Sequence, residues 1–315
     1  MTIQSISIEY DAKNEENFFS SGDSITGRIV LVVSQETKIE RLSVKAKGKA
    51  NVSWTEHYGK VRVTYRAKEK FFSLEKIILQ EGQGHGPLIL TPGSHEHPFA
   101  FEIPDMDLPT SFKGKHGKIS YSLKAKVSRF MKLASKAKTH FTVASKTDMS
   151  TPDLMKPQHR NVEKNVVWFG SGNVTLNVRT ARMGYLQGEA LKVTAEIVNN
   201  SPRPVTPKYY LYEKQCFYAM RKRKVYTKNI LKEKGEPVPA RAQQNVTKVL
   251  NIPELLPGTI FNCPILKLEY RIKVVLDVAL AKDPEVRLPI VVLADTDRSA
   301  SKELQEQQQR ESWFN

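Results

Sequence analysis

His95 and His97 stand two residues apart, a spacing that puts both rings on one face of an extended chain. His85 and His116 are the nearest further donors, but no carboxylate-rich spacing accompanies them, and Cys216 and Cys263 lie far along the chain. A zinc site needs three or four such ligands, so solvated or core-edge histidines are expected and no metal ligand is assigned. The run Gly82-Gln83-Gly84-His85-Gly86 has the glycine content of a phosphate loop. Such a loop needs a helix N-terminus after it, whereas Pro87-Leu88-Ile89-Leu90 leads into a strand. Gly114-Lys115-His116-Gly117-Lys118 fails for the same reason, and no Gly-x-Ser-x-Gly elbow occurs. No catalytic residue and no cofactor is assigned. The two cysteines read as small buried hydrophobes.

The remaining chemistry is positive charge. The net charge is +16, and it is spread over 23 basic and 16 acidic residues in 1–150 and 23 and 13 in 151–295. The densest run is Arg221-Lys222-Arg223-Lys224, followed by Lys228, directly after an aromatic segment that includes Tyr209, Tyr210 and Tyr212. A second set is Lys45, Lys47 and Lys49, with Lys124 and Lys126, each placed to line one face of a strand. Both sets are candidates for anionic lipid headgroups or acidic, phosphorylated peptide segments. The plain alternative is a solvated strand face whose lysines blunt edge pairing. Nucleic acid is not expected, because Tyr121 and Tyr270 fall on core positions rather than beside exposed basic ones.

These residues sit on alternating stretches. Leu42, Val44, Ala46, Gly48, Ala50 and Val52 share one parity against Ser43, Lys45, Lys47, Lys49 and Asn51. Ile119, Tyr121, Leu123, Ala125 and Val127 oppose Ser120, Ser122, Lys124 and Lys126, and Leu266–Leu276 repeats the pattern. Period two marks strands buried on one face. Turn signals such as Ser21-Gly22-Asp23, Thr91-Pro92-Gly93 and Leu256-Pro257-Gly258 separate them. Apart from a short helix expected around Phe130–Lys138, no helical pattern intervenes before residue 295. The fold class is therefore all-β, with antiparallel sandwiches.

The chain also repeats itself. Gly22-Asp23-Ser24-Ile25 begins a strand as Gly188-Glu189-Ala190-Leu191 does, and Leu108-Pro109 precedes Tyr121 at nearly the spacing by which Leu256-Pro257 precedes Tyr270. Two immunoglobulin-like sandwiches follow, at 1–147 and 164–295, with a linker at 148–163 and a flexible tail at 296–315 that carries a nascent helix over Ser301–Glu311. Trp313-Phe314 reads as a chance terminal pair. With two cysteines, no basic n-region before an apolar run and no apolar stretch near membrane-span length, the expectation is a soluble protein of a reducing compartment.

Several segments in the two halves carry a shared family pattern. In the first half these are Ser21-Gly22-Asp23-x-Ile25-x-Gly27-x-Ile29, Leu90-x-Pro92-Gly93-x-His95-x-His97-Pro98-Phe99, and Leu108-Pro109-Thr110-Ser111-Phe112. In the second they are Gly184-Tyr185-x-x-Gly188-Glu189, Asn199-Asn200-Ser201 and Cys263-Pro264-Ile265-Leu266. Together these segments resemble the arrestin family, and specifically its arrestin domain-containing (alpha-arrestin) subgroup, over residues 1–295. The resemblance implies a non-enzymatic cytoplasmic adaptor, peripheral at the plasma membrane and endosomes, that binds cytoplasmic tails of receptors or transporters for endocytic sorting. It also implies HECT-type ubiquitin ligases as partners through Pro-Pro-x-Tyr segments. The sequence holds no Pro-Pro dipeptide, so that link is expected to be indirect. Two alternatives stay open: a retromer-type coat subunit, and an anionic-lipid or nucleic-acid-binding module.

Overall fold

The computed structural model describes residues 2–12, 18–82, 87–145, 151–166, 172–278 and 283–293. The chain divides into two compact units; short stretches at Tyr218–Lys222 and Asn262–Leu266 cluster with the N-terminal one. The N-terminal unit is built from β1 (Ile3–Tyr10), β2 (Phe18–Phe19), β3 (Ser24–Val33), β4 (Thr37–Lys38), β5 (Arg41–Tyr58) and β6 (Val61–Gln80). It continues with β7 (Ile89–Leu90), β8 (Gly93–Glu102), β9 (Phe112–Lys113), β10 (Gly117–Arg129) and β11 (Lys132–Val143). One sheet runs β1–β3–β8 and the other β2–β11–β10–β5–β6, with β9 beside β10 and β4 paired to β7. The inward residues of β5 and β10 are the ones their alternation marks: Leu42, Val44, Ala46, Ala50, Tyr121, Leu123, Ala125 and Val127 are all buried. Gly48 is needed where Tyr121 crosses β5, since a Cβ there would lie 2.7 Å from both the Phe72 and Tyr121 rings.

The second unit contains a 3-10 turn over Pro152–Met155, then β12 (Gln158–Val166), β13 (Gly172–Thr180), β14 (Gly184–Leu186) and β15 (Ala190–Asn199). After these come β16 (Thr206–Ala219), β17 (Lys222–Lys234), β18 (Ala242–Asn251), β19 (Leu266–Asp277) and β20 (Glu285–Leu293). Its sheets run β12–β13–β15–β18 and β14–β20–β19–β16–β17. Leu154 of the 3-10 turn is buried with Val291 and Leu293, against Met183 and Leu186, so the residues before β12 are tied into this unit's core. The segment expected as linker thus holds that turn and the first part of β12.

The duplication is visible atom by atom. Tyr121 Oη donates to the Pro109 carbonyl at 2.6 Å, and Tyr270 Oη donates to the Pro257 carbonyl at 2.7 Å. Two residues after each proline, a hydroxyl residue closes a two-way bond with the last strand. Ser111 N–H donates to the Val143 carbonyl while Val143 N–H donates to Ser111 Oγ; Thr259 does the same with Val292. At each Gly-acid turn the glycine is left-handed (φ 78° at Gly22, 76° at Gly188), and the acid accepts from the backbone N–H three residues earlier. Eight strands correspond in sheet order: β1, β3 and β8 to β13, β15 and β18, and β2, β11, β10, β5 and β6 to β14, β20, β19, β16 and β17.

One expectation is corrected. No helix forms over Phe130–Lys138: β10 turns through Phe130 and Met131, the latter at φ 50°, into β11, with Ala125 opposite Ala137 and Lys124 opposite Lys138. Local periodicity yields there to the sheet ladder, which pairs Tyr121–Arg129 with Lys132–Phe141. The sandwiches are antiparallel as expected, with one short parallel addition in each: β2 runs parallel to β11 and β14 parallel to β20. Each is the short strand leading into a Gly-acid turn, laid along the final strand of its unit. The expected tail helix and Trp313-Phe314 lie outside the described residues, as do Gln83–Gly86 of the glycine run.

Replacing either buried tyrosine by phenylalanine leaves a proline carbonyl without its donor, so Tyr121→Phe and Tyr270→Phe should each cost about 1–3 kcal/mol in denaturant unfolding. A change within error for both variants would show that these bonds do not hold the frame.

Candidate functional site

Residues opposite each other in an antiparallel pair lie on the same face. The register therefore assembles the outward residues of β11, β10, β5 and β6 into rows. Lys138, Lys124, Lys45 and Glu75 form one, and Lys136, Lys126, Ser43 and Ile77 the next. His140, Ser122, Lys47 and Ser73 make a third; Ser120, Lys49 and Lys70 a fourth; Lys118, Asn51 and Lys68 a fifth. The sequence-selected Lys45, Lys47, Lys49, Lys124 and Lys126 are thus brought together on a single sheet face. Lys68, Lys70, Lys118, Lys136 and Lys138, which sequence reasoning missed, join them. Ser43 and Ser122, 4% and 7% exposed, form a floor beneath the longer side chains.

Acidic compensation on this face is sparse. Glu75 reaches Arg41 at 3.1 Å and Lys45 at 3.6 Å. Lys124 lies directly between Lys45 and Lys138, a like-charge arrangement that destabilises a sheet. Partial burial, reinforced by Lys68, Lys49, Lys45 and Lys70, holds the Lys47 amine below its ordinary pKa. Partial burial, with Lys138, Lys68 and Lys118 adding to it, does the same to Lys49. A polar cleft of about 400 Å³ opens at one end of the face, lined by Glu40, Arg41, Ser43, Glu75, Lys126 and Ser128 among others. Its lining is hydrophilic, unlike the mostly apolar walls of a small-molecule pocket.

The corresponding sheet of the second unit handles charge differently. Glu269, on β19, accepts from both Lys214 Nζ and Arg271 Nη2 at 3.1 Å. Burial opposes ionisation there, but the two cations hold its carboxyl below the ordinary carboxylate value. Lys273 Nζ stands 4.5 Å from the centroid of the Tyr210 ring. Here Lys214, Arg271 and Lys273 each have a partner within their own unit.

The Arg221–Lys228 cluster is divided by the chain's geometry. Met220 and Arg221 occupy a two-residue hairpin loop, both left-handed at φ 50° and 61°, as a type I′ turn requires. Lys222, Lys224 and Lys228 lie on one face of β17, and Arg223 on the other. β17 is the edge strand of its sheet. Of the histidines, His95 Nε2 is 2.7 Å from the Thr91 carbonyl, and burial holds His97 below the ordinary imidazole value. Among the described residues no group of three or more His, Cys, Asp or Glu side chains could hold a metal ion. Cys216 and Cys263 are free and buried, and burial raises the Cys263 thiol.

Comparison with known proteins agrees with this architecture. Residues 6–150 match the family described as "Arrestin (or S-antigen), N-terminal domain", and residues 170–295 match "Arrestin (or S-antigen), C-terminal domain". Arrestin domain-containing protein 4 of Mus musculus is 31% identical over 284 residues, covering 87% of this chain and 68% of that protein. Its Homo sapiens counterpart is 30% identical over 283 residues, with the same coverage. Thioredoxin-interacting protein of Homo sapiens is 29% identical over 293 residues, covering 91% of this chain and 74% of that protein.

Because folding holds the Lys47 and Lys49 amines below 10.5, the unfolded chain binds more protons just under that pH. Their contribution to stability therefore rises with pH through the folded values and levels off above the unfolded one. In thermal melts between about pH 8 and pH 10, Lys47→Gln/Lys49→Gln should remove part of any rise in midpoint with pH. It should also melt above the parent at neutral pH. A midpoint unchanged or lowered at neutral pH would mean that these lysines do not repel one another.

Proposed function

This chain belongs to the arrestin family, and we propose that it is a non-enzymatic cytoplasmic adaptor that captures cytoplasmic tails of membrane receptors or transporters for endocytic sorting. The observation that carries the reading is the lysine face across β11, β10, β5 and β6, with Glu75 as the acid in its rows. An extended acidic or phosphorylated tail offers oxygens along its length, and rows of ammonium groups can meet them with charge-assisted hydrogen bonds. Such a ligand also relieves repulsion already present in the free protein, so binding draws on a strained ground state. Residues Arg221, Lys222, Arg223, Lys224 and Lys228 belong to the proposal as a separate contact for anionic lipid headgroups, exposed for the most part along a turn and an edge strand.

A link to HECT-type ubiquitin ligases belongs to it as an indirect one, since these residues hold no Pro-Pro-x-Tyr segment for a WW domain. The name of one relative states that it interacts with thioredoxin. A disulfide with such a partner finds no support in this chain's thiols, because reactive cysteines are exposed and of lowered pKa, whereas both here are buried.

Fluorescence titration with an acidic peptide, unphosphorylated or doubly phosphorylated, tests the reading. The phosphorylated form should bind at least about tenfold more tightly. Lys45→Gln/Lys124→Gln/Lys138→Gln should weaken it by about tenfold or more, while Arg221→Gln/Lys222→Gln should leave it within about twofold. Equal binding of both peptides, or a triple variant that binds as the parent does, would refute the proposed site.

A further inference from the structure

Phe130, Met131 and Leu133 are 71%, 90% and 93% exposed at the tip of the β10–β11 hairpin. Among the described residues no other run places three large apolar side chains so far into solvent. Water contact on this scale is unfavourable for apolar groups, and contiguous exposed patches mark surfaces that meet something else. The tip is also held in place from behind. Arg129 Nη1 donates to Thr2 Oγ1 at 2.7 Å, and Nη2 donates to the Leu133 carbonyl at 3.3 Å. The apolar side chains thus project from a braced hairpin whose loop contains the left-handed Met131.

Charge along the hairpin itself is of one sign, the neighbouring acids Glu40 and Glu75 lying across the cleft beside Lys126 and Ser128. From Leu108 to Thr147 the chain carries ten basic residues and no Asp or Glu, whereas residues 1–107 carry 13 basic and 15 acidic. Lys124, Lys126, Lys132, Lys136 and Lys138 of the hairpin are all exposed. The order of groups along the hairpin is informative: apolar at the apex, Lys132 within it, then Lys126 and Lys136, then Lys124 and Lys138. At about 3.3 Å per residue, Lys126 lies about 13 Å behind Phe130 along the strand. An anionic bilayer has the matching order, hydrocarbon beneath a sheet of negative headgroups. Interfacial apolar groups sink about 5–10 Å into it. That depth brings the Lys126–Lys136 pair to the phosphates and leaves Lys124 and Lys138 within about one Debye length.

We propose that the β10–β11 hairpin is a membrane wedge: Phe130, Met131 and Leu133 insert into the interface of an anionic bilayer, and the hairpin's lysines hold its headgroups. The wedge deepens the membrane-facing part of the proposed function and makes no use of tail capture. A protein groove is the less suited occupant, because three side chains radiating from a convex apex match a fluid surface better than a fixed pocket.

The test uses the whole chain and vesicles of phosphatidylcholine with or without phosphatidylserine. Cys216 and Cys263 are buried, so a Leu133→Cys variant can be labelled selectively with an environment-sensitive dye. Its emission should shift to the blue, and be shielded from an aqueous quencher, only with vesicles containing phosphatidylserine. In flotation, Phe130→Ser/Met131→Ser/Leu133→Ser should partition at least about tenfold more weakly than the parent at an unchanged melting temperature. The wedge is overturned if the parent does not float, if the polar-tip variant floats equally, or if the dye stays in water. It is equally overturned if the polar tip abolishes phosphopeptide binding and spares flotation, which would identify a protein partner at the apex. Wedge-dependent flotation without any phosphopeptide binding would sustain the wedge while removing tail capture.

Discussion

In each half of this chain a buried tyrosine hydroxyl donates to a proline carbonyl 12 or 13 residues earlier. That bond fixes which way a central strand faces. A strand has period two, so one inward residue determines every other, and a one-residue slip would exchange the core for the surface. With Tyr121 inward, Leu123, Ala125 and Val127 fill the core, and Lys118, Lys124 and Lys126 have nowhere to point but outward. Gly48 completes the constraint, because the Tyr121 ring occupies the space that any larger side chain would need. The lysine face is thus a consequence of the frame, set by a residue that never touches solvent.

The second copy shows that the frame alone does not make a binding face. Tyr270 directs Lys267, Glu269, Arg271 and Lys273 outward in the same manner, yet Glu269 is bound by Lys214 and Arg271, and Lys273 stands over Tyr210. The first copy places Lys45, Lys124 and Lys138 side by side instead. Like charges across a sheet cost stability, and stability is commonly given up where a surface serves a ligand. The two halves share a scaffold and differ in whether its outward charges are neutralised internally.

Much of this was legible in the residues. Alternation in Leu42–Val52 and Ile119–Val127, the Gly-acid turns and the proline-to-tyrosine spacing all report local rules, and each has its counterpart in the structure. The assembly of the lysine rows was not, because register across β11, β10, β5 and β6 is a tertiary fact. Lys136 and Lys138 carried the alternating signal, but Phe130, Leu133 and Ala137 overlaid it with a helix-like spacing. That spacing misled for a physical reason: hydrophobic periodicity reports structure only where the apolar residues are buried, and Phe130, Met131 and Leu133 are not. The Arg221 cluster shows a different limit, since adjacency in sequence becomes opposition across β17, with Lys222 and Arg223 on opposite faces.

Amine footprinting by mass spectrometry tests the central claim most directly, because it reads each lysine of the intact chain separately. With a doubly phosphorylated acidic peptide bound, Lys45, Lys49, Lys124 and Lys138 should become protected from acylation, while Lys228 and Lys267 keep their free reactivity. Protection confined to the second copy or to β17, with the rows of the first copy unchanged, would contradict the account.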